Sequence, residues 1–146
     1  MNKTIEDFIH FKRLALVGAS RSGKKFGNSV YKELTDRGYE IFLVHPEARE
    51  IDGQPTYSSL AALKERAQGV LVCVSPAKTA DVLREAAAAG IKYLWLQQGA
   101  ETPEVPALAK ELNLNVVVKK CILMYAEPVT SFHKFHRIVA RVFGGL

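Results

Sequence analysis

Between Leu14 and Gly27 the sequence reads LALVGASRSGKKFG, an apolar run that breaks into small, hydroxyl-bearing and basic residues before a helical pattern starts. Residue types in that order suit the binding of an anion such as a phosphate. Gly18 and Ala19 allow a sharp turn with little bulk, Ser20 and Ser22 bring hydroxyls, and Arg21, Lys24 and Lys25 bring full positive charge. A helix opening just after the turn adds unpaired amides and the positive end of its dipole. Six Lys or Arg side chains and no acidic one fall between positions 8 and 32. An ordinary strand-to-helix turn with solvated lysines is the plainer reading, but it leaves the coincidence of glycines, hydroxyls and charge unexplained.

Two familiar phosphate motifs nearly fit. GASRSGKK, from Gly18 to Lys25, satisfies G-x-x-x-x-G-K but places Lys25 where a P-loop needs Ser or Thr for magnesium. The apolar runs EIFLVH and GVLVCVSP end at His45 and Pro76, so neither closes on a metal-holding Asp. In the dinucleotide fingerprint G-x-G-x-x-G, Ser20 takes the place of the second glycine. An NAD site also wants a carboxylate after the second strand to hold the ribose diol, and His45 stands there. A neutral or cationic residue suits a phosphorylated ribose better, which admits an NADP(H)-dependent oxidoreductase, with Arg49 reaching the 2′-phosphate, as the alternative function. That alternative needs a catalytic proton donor, and none is evident.

Other reactive types are sparse. Cys121 follows Lys119 and Lys120, whose charges favour thiolate, and it makes a candidate thiol site; the plainer reading is a small buried residue. Cys73, inside VLVCV, reads as core. His133 and His136 lack companions at metal-ligand spacing, so solvated histidines are expected and no metal site is assigned.

The elements that must position these residues follow from the apolar pattern. Strands are expected at 14–17, 40–44, 69–74, 93–96 and 116–118. Helices are expected over 4–11 with Thr4 as cap, 27–37 with Gly38 closing it, 59–67 capped by Ser59, 77–89, 102–112 and 131–143. Residues 47–58, with an Asp52-Gly53 turn, read as a long polar connection. Strands alternating with helices predict a single α/β Rossmann-like doubly wound domain, a five-stranded parallel sheet with helices on both faces. Every candidate binding segment then falls at a strand's carboxyl end, where such a sheet forms its crevice.

The chain of 146 residues is long enough for one domain, spanning 1–146, and its 48% apolar and 24% charged residues are ordinary globular composition. A net charge of +5 suits an anionic small molecule. The amphipathic helix expected over 131–143 offers a homodimer surface but lacks the aromatic-basic interleaving of a nucleic-acid surface. No membrane-span-length apolar segment and no signal-like leader are evident, so a cytoplasmic protein with free thiols is expected.

ALVGAS at the first turn, YEIFLVHP after the first helix, VCVSP at the third strand, YLWLQQG at the fourth and VVVKKC at the fifth together resemble the small stand-alone CoA-binding proteins, similar to the CoA-binding domain of the succinyl-CoA synthetase alpha subunit. The resemblance covers 14–121. It implies that Gly18, Ala19 and Ser20 meet the phosphates, supported by Arg21, Lys24 and Lys25. His45 and Pro46 stand where such proteins carry Asn-Pro or Ser-Pro near the nucleotide. Val74, Ser75 and Pro76 are implied to line the adenosine or pyrophosphate, and Gln97 and Gly99 to form the far wall. Lys119-Lys120-Cys121 replaces a commoner acidic-Arg-Cys sequence. A synthetase reaction in that family uses a phosphorylatable histidine on a second domain, so no catalytic residue is assigned. The resemblance implies a non-catalytic or regulatory module whose ligand is CoA or acyl-CoA, and Cys121 could there form a mixed disulfide with the CoA thiol.

Overall fold

The computed structural model describes residues 3–126. Its centre is the first apolar run, strand β1 (Arg13–Val17), whose Leu14, Ala15 and Leu16 are fully enclosed. β1 lies between β2 (Glu40–Val44) and β5 (Gly69–Val72), parallel to both, as a strand of uninterrupted apolar residues requires. β6 (Tyr93–Leu96) and β7 (Asn115–Val117) extend the parallel sheet on the β5 side. Among the described residues, no helix is long and apolar enough to cross a membrane.

The other edge corrects the expected five strands. The sheet has seven and is mixed, with β3 (Glu50–Ile51) and β4 (Gln54–Tyr57) added outside β2 to give the order β3-β4-β2-β1-β5-β6-β7. β4 pairs parallel to β2, and β3 returns antiparallel to β4, so residues expected to form a polar connection complete the sheet. The cause is the Asp52-Gly53 turn. Both residues have positive φ, 52° and 76°, the combination that matches a tight two-residue hairpin to strand twist. Ile51 is then buried beneath it.

Helices cover both faces. On one, α1 (Lys3–Ile9) and α2 (Phe26–Asp36) pack Phe8, Val30 and Leu34 against Leu16, Leu71 and Trp95. On the other, α3 (Pro76–Ala88) and α4 (Val105–Glu111) pack Leu83, Ala86 and Leu108 against Ala15, Val70 and Leu94. Arg37, buried after α2, donates to the carbonyls of Leu123 and Ala126 at 3.1 and 2.8 Å and pairs with Glu33 at 3.0 Å. It thereby fastens the 3-10 turn Ile122–Met124 to the sheet's flank.

Several element bounds differ from expectation. Thr4 lies within α1 and not at its cap. The helix expected over 59–67 is a single 3-10 turn, Leu60–Leu63, and Ser59 makes no side-chain cap bond. Its two anchors, Leu60 and Leu63, are three residues apart, a spacing that one tight turn already satisfies. α4 starts at Val105, leaving Thr102 before it with a buried hydroxyl that has no partner among the described residues. The helix expected over 131–143, with His133, His136 and the homodimer surface, lies outside the described residues.

Candidate functional site

The chain leaves β1 through Gly18 at φ +124°, a conformation that disfavours any side chain. A Cβ there would also collide with the Cys73 carbonyl at the end of β5. Gly27 serves the next contact, since a Cβ on it would sit 2.8 Å from the Gly18 oxygen. The two glycines let the first turn of α2 settle directly on the β1 end, the packing role of the last glycine in a dinucleotide fingerprint.

Asn28 then fixes the loop. Buried at 1% exposure, it accepts from the Ser20 N–H at 2.9 Å and donates to the Ser20 carbonyl at 3.1 Å. Its amide also reaches the Asp52 carboxylate at 3.4 Å, tying the β3–β4 turn to the loop. The Ser20 hydroxyl lies 2.8 Å from that of Ser22. The Ser20 amide is therefore already occupied, and the loop offers its hydroxyls and helix end instead.

A cavity of about 570 Å³ opens at the carboxyl ends of β1, β2 and β5. Gly18, Ala19, Ser20 and Lys25 line it from the first loop, His45 and Pro46 from the end of β2, and Cys73, Val74 and Ser75 from the end of β5. This is the switch point of a doubly wound sheet, where the chain turns from building on one side of β1 to the other. Both α2 and α3 begin here, and neither N-cap, Lys25 or Ser75, makes a side-chain cap bond. Two helix dipoles thus present their positive ends to one space.

His45 is held in a defined way. Its Nδ1 accepts the backbone N–H groups of Glu47 at 3.0 Å and Ala48 at 2.9 Å, closing the turn after β2. Cys73 is half-buried on the cavity wall, and burial, with the neighbouring Cys121 adding to it, pushes its thiol up to about 12. Such a thiol is a poor nucleophile near neutral pH.

Other expected site residues lie apart. Arg21 and Lys24 are exposed beside the loop and do not line the cavity, and Pro76 opens α3 with its ring exposed. Gln97, at 2% exposure, donates to the Cys121 sulfur at 3.3 Å and accepts from the Ile122 N–H at 2.6 Å. The Gly99 N–H is taken by the Glu101 carboxylate at 3.1 Å. Neither residue lines the cavity, and of the two cysteines it is Cys73 that does. Among the described residues no group of three or more His, Cys, Asp or Glu side chains could hold a metal.

Glu47 and Ser58, the ends of the connection expected over 47–58, line the cavity, whereas sequence reasoning missed Asn28 and a polar stripe on α3. Lys78, Asp81 and Glu85 line the cavity with Val82 between them. Their spacing of three, four and seven residues was the available signal, because it puts all three on one helical face.

A parallel-dominated sheet with a crevice at its switch point, rimmed by two helix starts, by Lys25 and Lys78 and by the carboxylates of Glu47, Asp81 and Glu85, defines a doubly wound α/β domain with an open polar crevice. The chain belongs to the CoA binding domain family, whose model matches residues 12–127. It is 31% identical over 111 residues to the uncharacterized protein YneT of Bacillus subtilis, covering 76% of this chain and 82% of that one. It is 23% identical over 144 residues to an ADP-forming acetate–CoA ligase of Archaeoglobus fulgidus, covering 92% of this chain but only 21% of the ligase. A conserved hypothetical protein from Pyrococcus furiosus superposes with a TM-score of 0.72 at 35% identity, over 77% of this chain and 97% of that one. The resemblance drawn from the strand-end motifs is thus borne out at the level of the family.

Proposed function

We propose that this chain is a CoA or acyl-CoA binding module, non-catalytic or regulatory, that seats the CoA pyrophosphate against Gly18, Ala19, Ser20 and Lys25. The observation that carries the reading is the convergence of two helix starts and the Lys25 and Lys78 side chains on one cavity, in a member of a CoA binding domain family. Anionic pyrophosphate gains from both the fixed dipoles and the lysines, while Arg21 and Lys24 outside the cavity attract it from solution. The apolar wall of Val17, Val44, Val74 and Val82 suits the less polar parts of the ligand.

The carboxylates of Glu47, Asp81 and Glu85 offset the two lysines on the same cavity, so the reading leans on the two helix starts, and CoA is expected to bind without magnesium. Thiol capture of CoA is no part of the reading, since Cys121 is packed behind Gln97 and burial holds Cys73 protonated. Calorimetric titration of ligand-stripped protein with CoA, without magnesium and with NADPH as comparison, tests it. Saturable, near-stoichiometric binding of CoA in preference to NADPH is expected; absence of CoA binding would overturn it.

A further inference from the structure

We infer that His45 selects a phosphorylated ribose over a free ribose diol, acting as a neutral donor through Nε2–H. The inference rests on the CoA-binding reading and concerns which part of the nucleotide the end of β2 recognises. Nδ1 accepts two backbone N–H groups, from Glu47 at 3.0 Å and Ala48 at 2.9 Å. A nitrogen that accepts two such bonds carries no proton, so the neutral ring holds its proton on Nε2. His45 lines the cavity, and with Nδ1 turned to its own backbone, Nε2–H is the polar atom it has left to offer a ligand.

The position matters because the residue after the second strand of a doubly wound sheet lies beside the ribose. A carboxylate there accepts from the hydroxyls of a free diol. A group that only donates has the opposite preference and favours an oxygen-rich phosphate ester. Lys25, on the same cavity, supplies charge for that phosphate, whereas His45 supplies direction. His45 thus has two separable tasks: Nδ1 closes the turn, and Nε2–H reads the ribose substituent.

Two substitutions separate them. In His45→Asn the amide oxygen takes the place of Nδ1 and still accepts both backbone amides, but the remaining donor, the amide NH2, sits on a shorter side chain and falls short of the place Nε2–H reaches. In His45→Asp the turn is likewise kept, and an acceptor now faces the ligand. CoA and dephospho-CoA are titrated into all three proteins, with thermal unfolding confirming that the variants fold. Wild-type protein is expected to prefer CoA, His45→Asn to reduce that preference about tenfold, the worth of one hydrogen bond to a charged group, and His45→Asp to abolish or reverse it. Unaltered preference in both variants would overturn the inference. The ¹⁵N spectrum of the imidazole in the ligand-free protein reads the tautomer directly, and an Nδ1-protonated ring would also overturn it. Wild-type protein that binds CoA and dephospho-CoA equally defeats this inference alone; wild-type protein that binds neither defeats the CoA reading and this inference with it.

Discussion

Two regions of this sheet end in the same way and behave differently. At the carboxyl ends of β1, β2 and β5 the chain leaves an open cavity, and at the carboxyl ends of β6 and β7 it fills its own space. Both carry small or polar residues just past an apolar strand, and both read as binding segments in the sequence. The difference lies in where the polar groups are spent. Gln97 uses both ends of its amide on Cys121 and Ile122, and the Gly99 N–H is held by Glu101. At the open end, the starts of α2 and α3 have no side-chain caps, and Lys25 and Lys78 face the cavity. A strand end of a doubly wound sheet is thus able to take a ligand only where its own residues leave polar groups uncommitted.

The largest effect is expected at Cys73. Burial raises the Cys73 thiol from an ordinary 9.0 to about 12, so even at the open end it should alkylate on the order of a thousandfold more slowly at pH 8 than in the unfolded chain. Iodoacetamide labelling followed by peptide mapping measures this, and a rate near that of the unfolded chain would sink it. The sign of the linked stability follows. A raised folded pKa means that the fold favours the protonated thiol, a contribution fully present below about pH 9 and lost as pH rises through about 12. Denaturation midpoints should therefore fall across that alkaline window, and Cys73→Ala should flatten the fall.

Next in size is Gly18→Ala. The new Cβ meets the Cys73 carbonyl and φ is +124°, so a loss of about 3 kcal/mol or more is expected in urea unfolding. Asn28→Ala and Gln97→Ala then sharpen the contrast between the regions. Each strands buried partners and should cost about 2 kcal/mol of stability, but only Asn28→Ala should also weaken CoA, because it releases the Ser20 loop. Equal losses of CoA affinity in both would erase the distinction. The smallest effect is expected for Lys25→Met, about tenfold in CoA affinity, falling as salt is raised. An affinity unchanged by that substitution would remove Lys25 from the site.

The open region was largely legible because its signals are local. Gly18, Ala19 and Ser20 follow an apolar run directly, and His45, Val74 and Ser75 stand at the ends of others. The missing pieces were long-range or short. β3 has two residues and β4 carries Pro55, which argues against a strand except near an edge, so no alternation marks either. Asn28 looks like any polar helix residue until its partners are seen, eight residues before it at Ser20 and 24 after it at Asp52. Gln97 was placed on the far wall because a glutamine after an apolar strand advertises a donor and an acceptor. Their satisfaction by a turn 24 and 25 residues later leaves no trace in the local sequence.

The contact from Asp52 to Asn28 also bears on where the chain could be divided. The anion loop lies at the middle of the sheet, yet part of its support arrives from the hairpin that closes the sheet's far edge. The pairing that brings the hairpin there is the more local one in sequence, 13 residues from Leu43 to Thr56 between β2 and β4 against 27 from Arg13 to Glu40 between β1 and β2. The binding loop is therefore not a self-contained strand-and-helix unit: a chain cut after α2 would lack Asp52 and with it the outer strut of that loop.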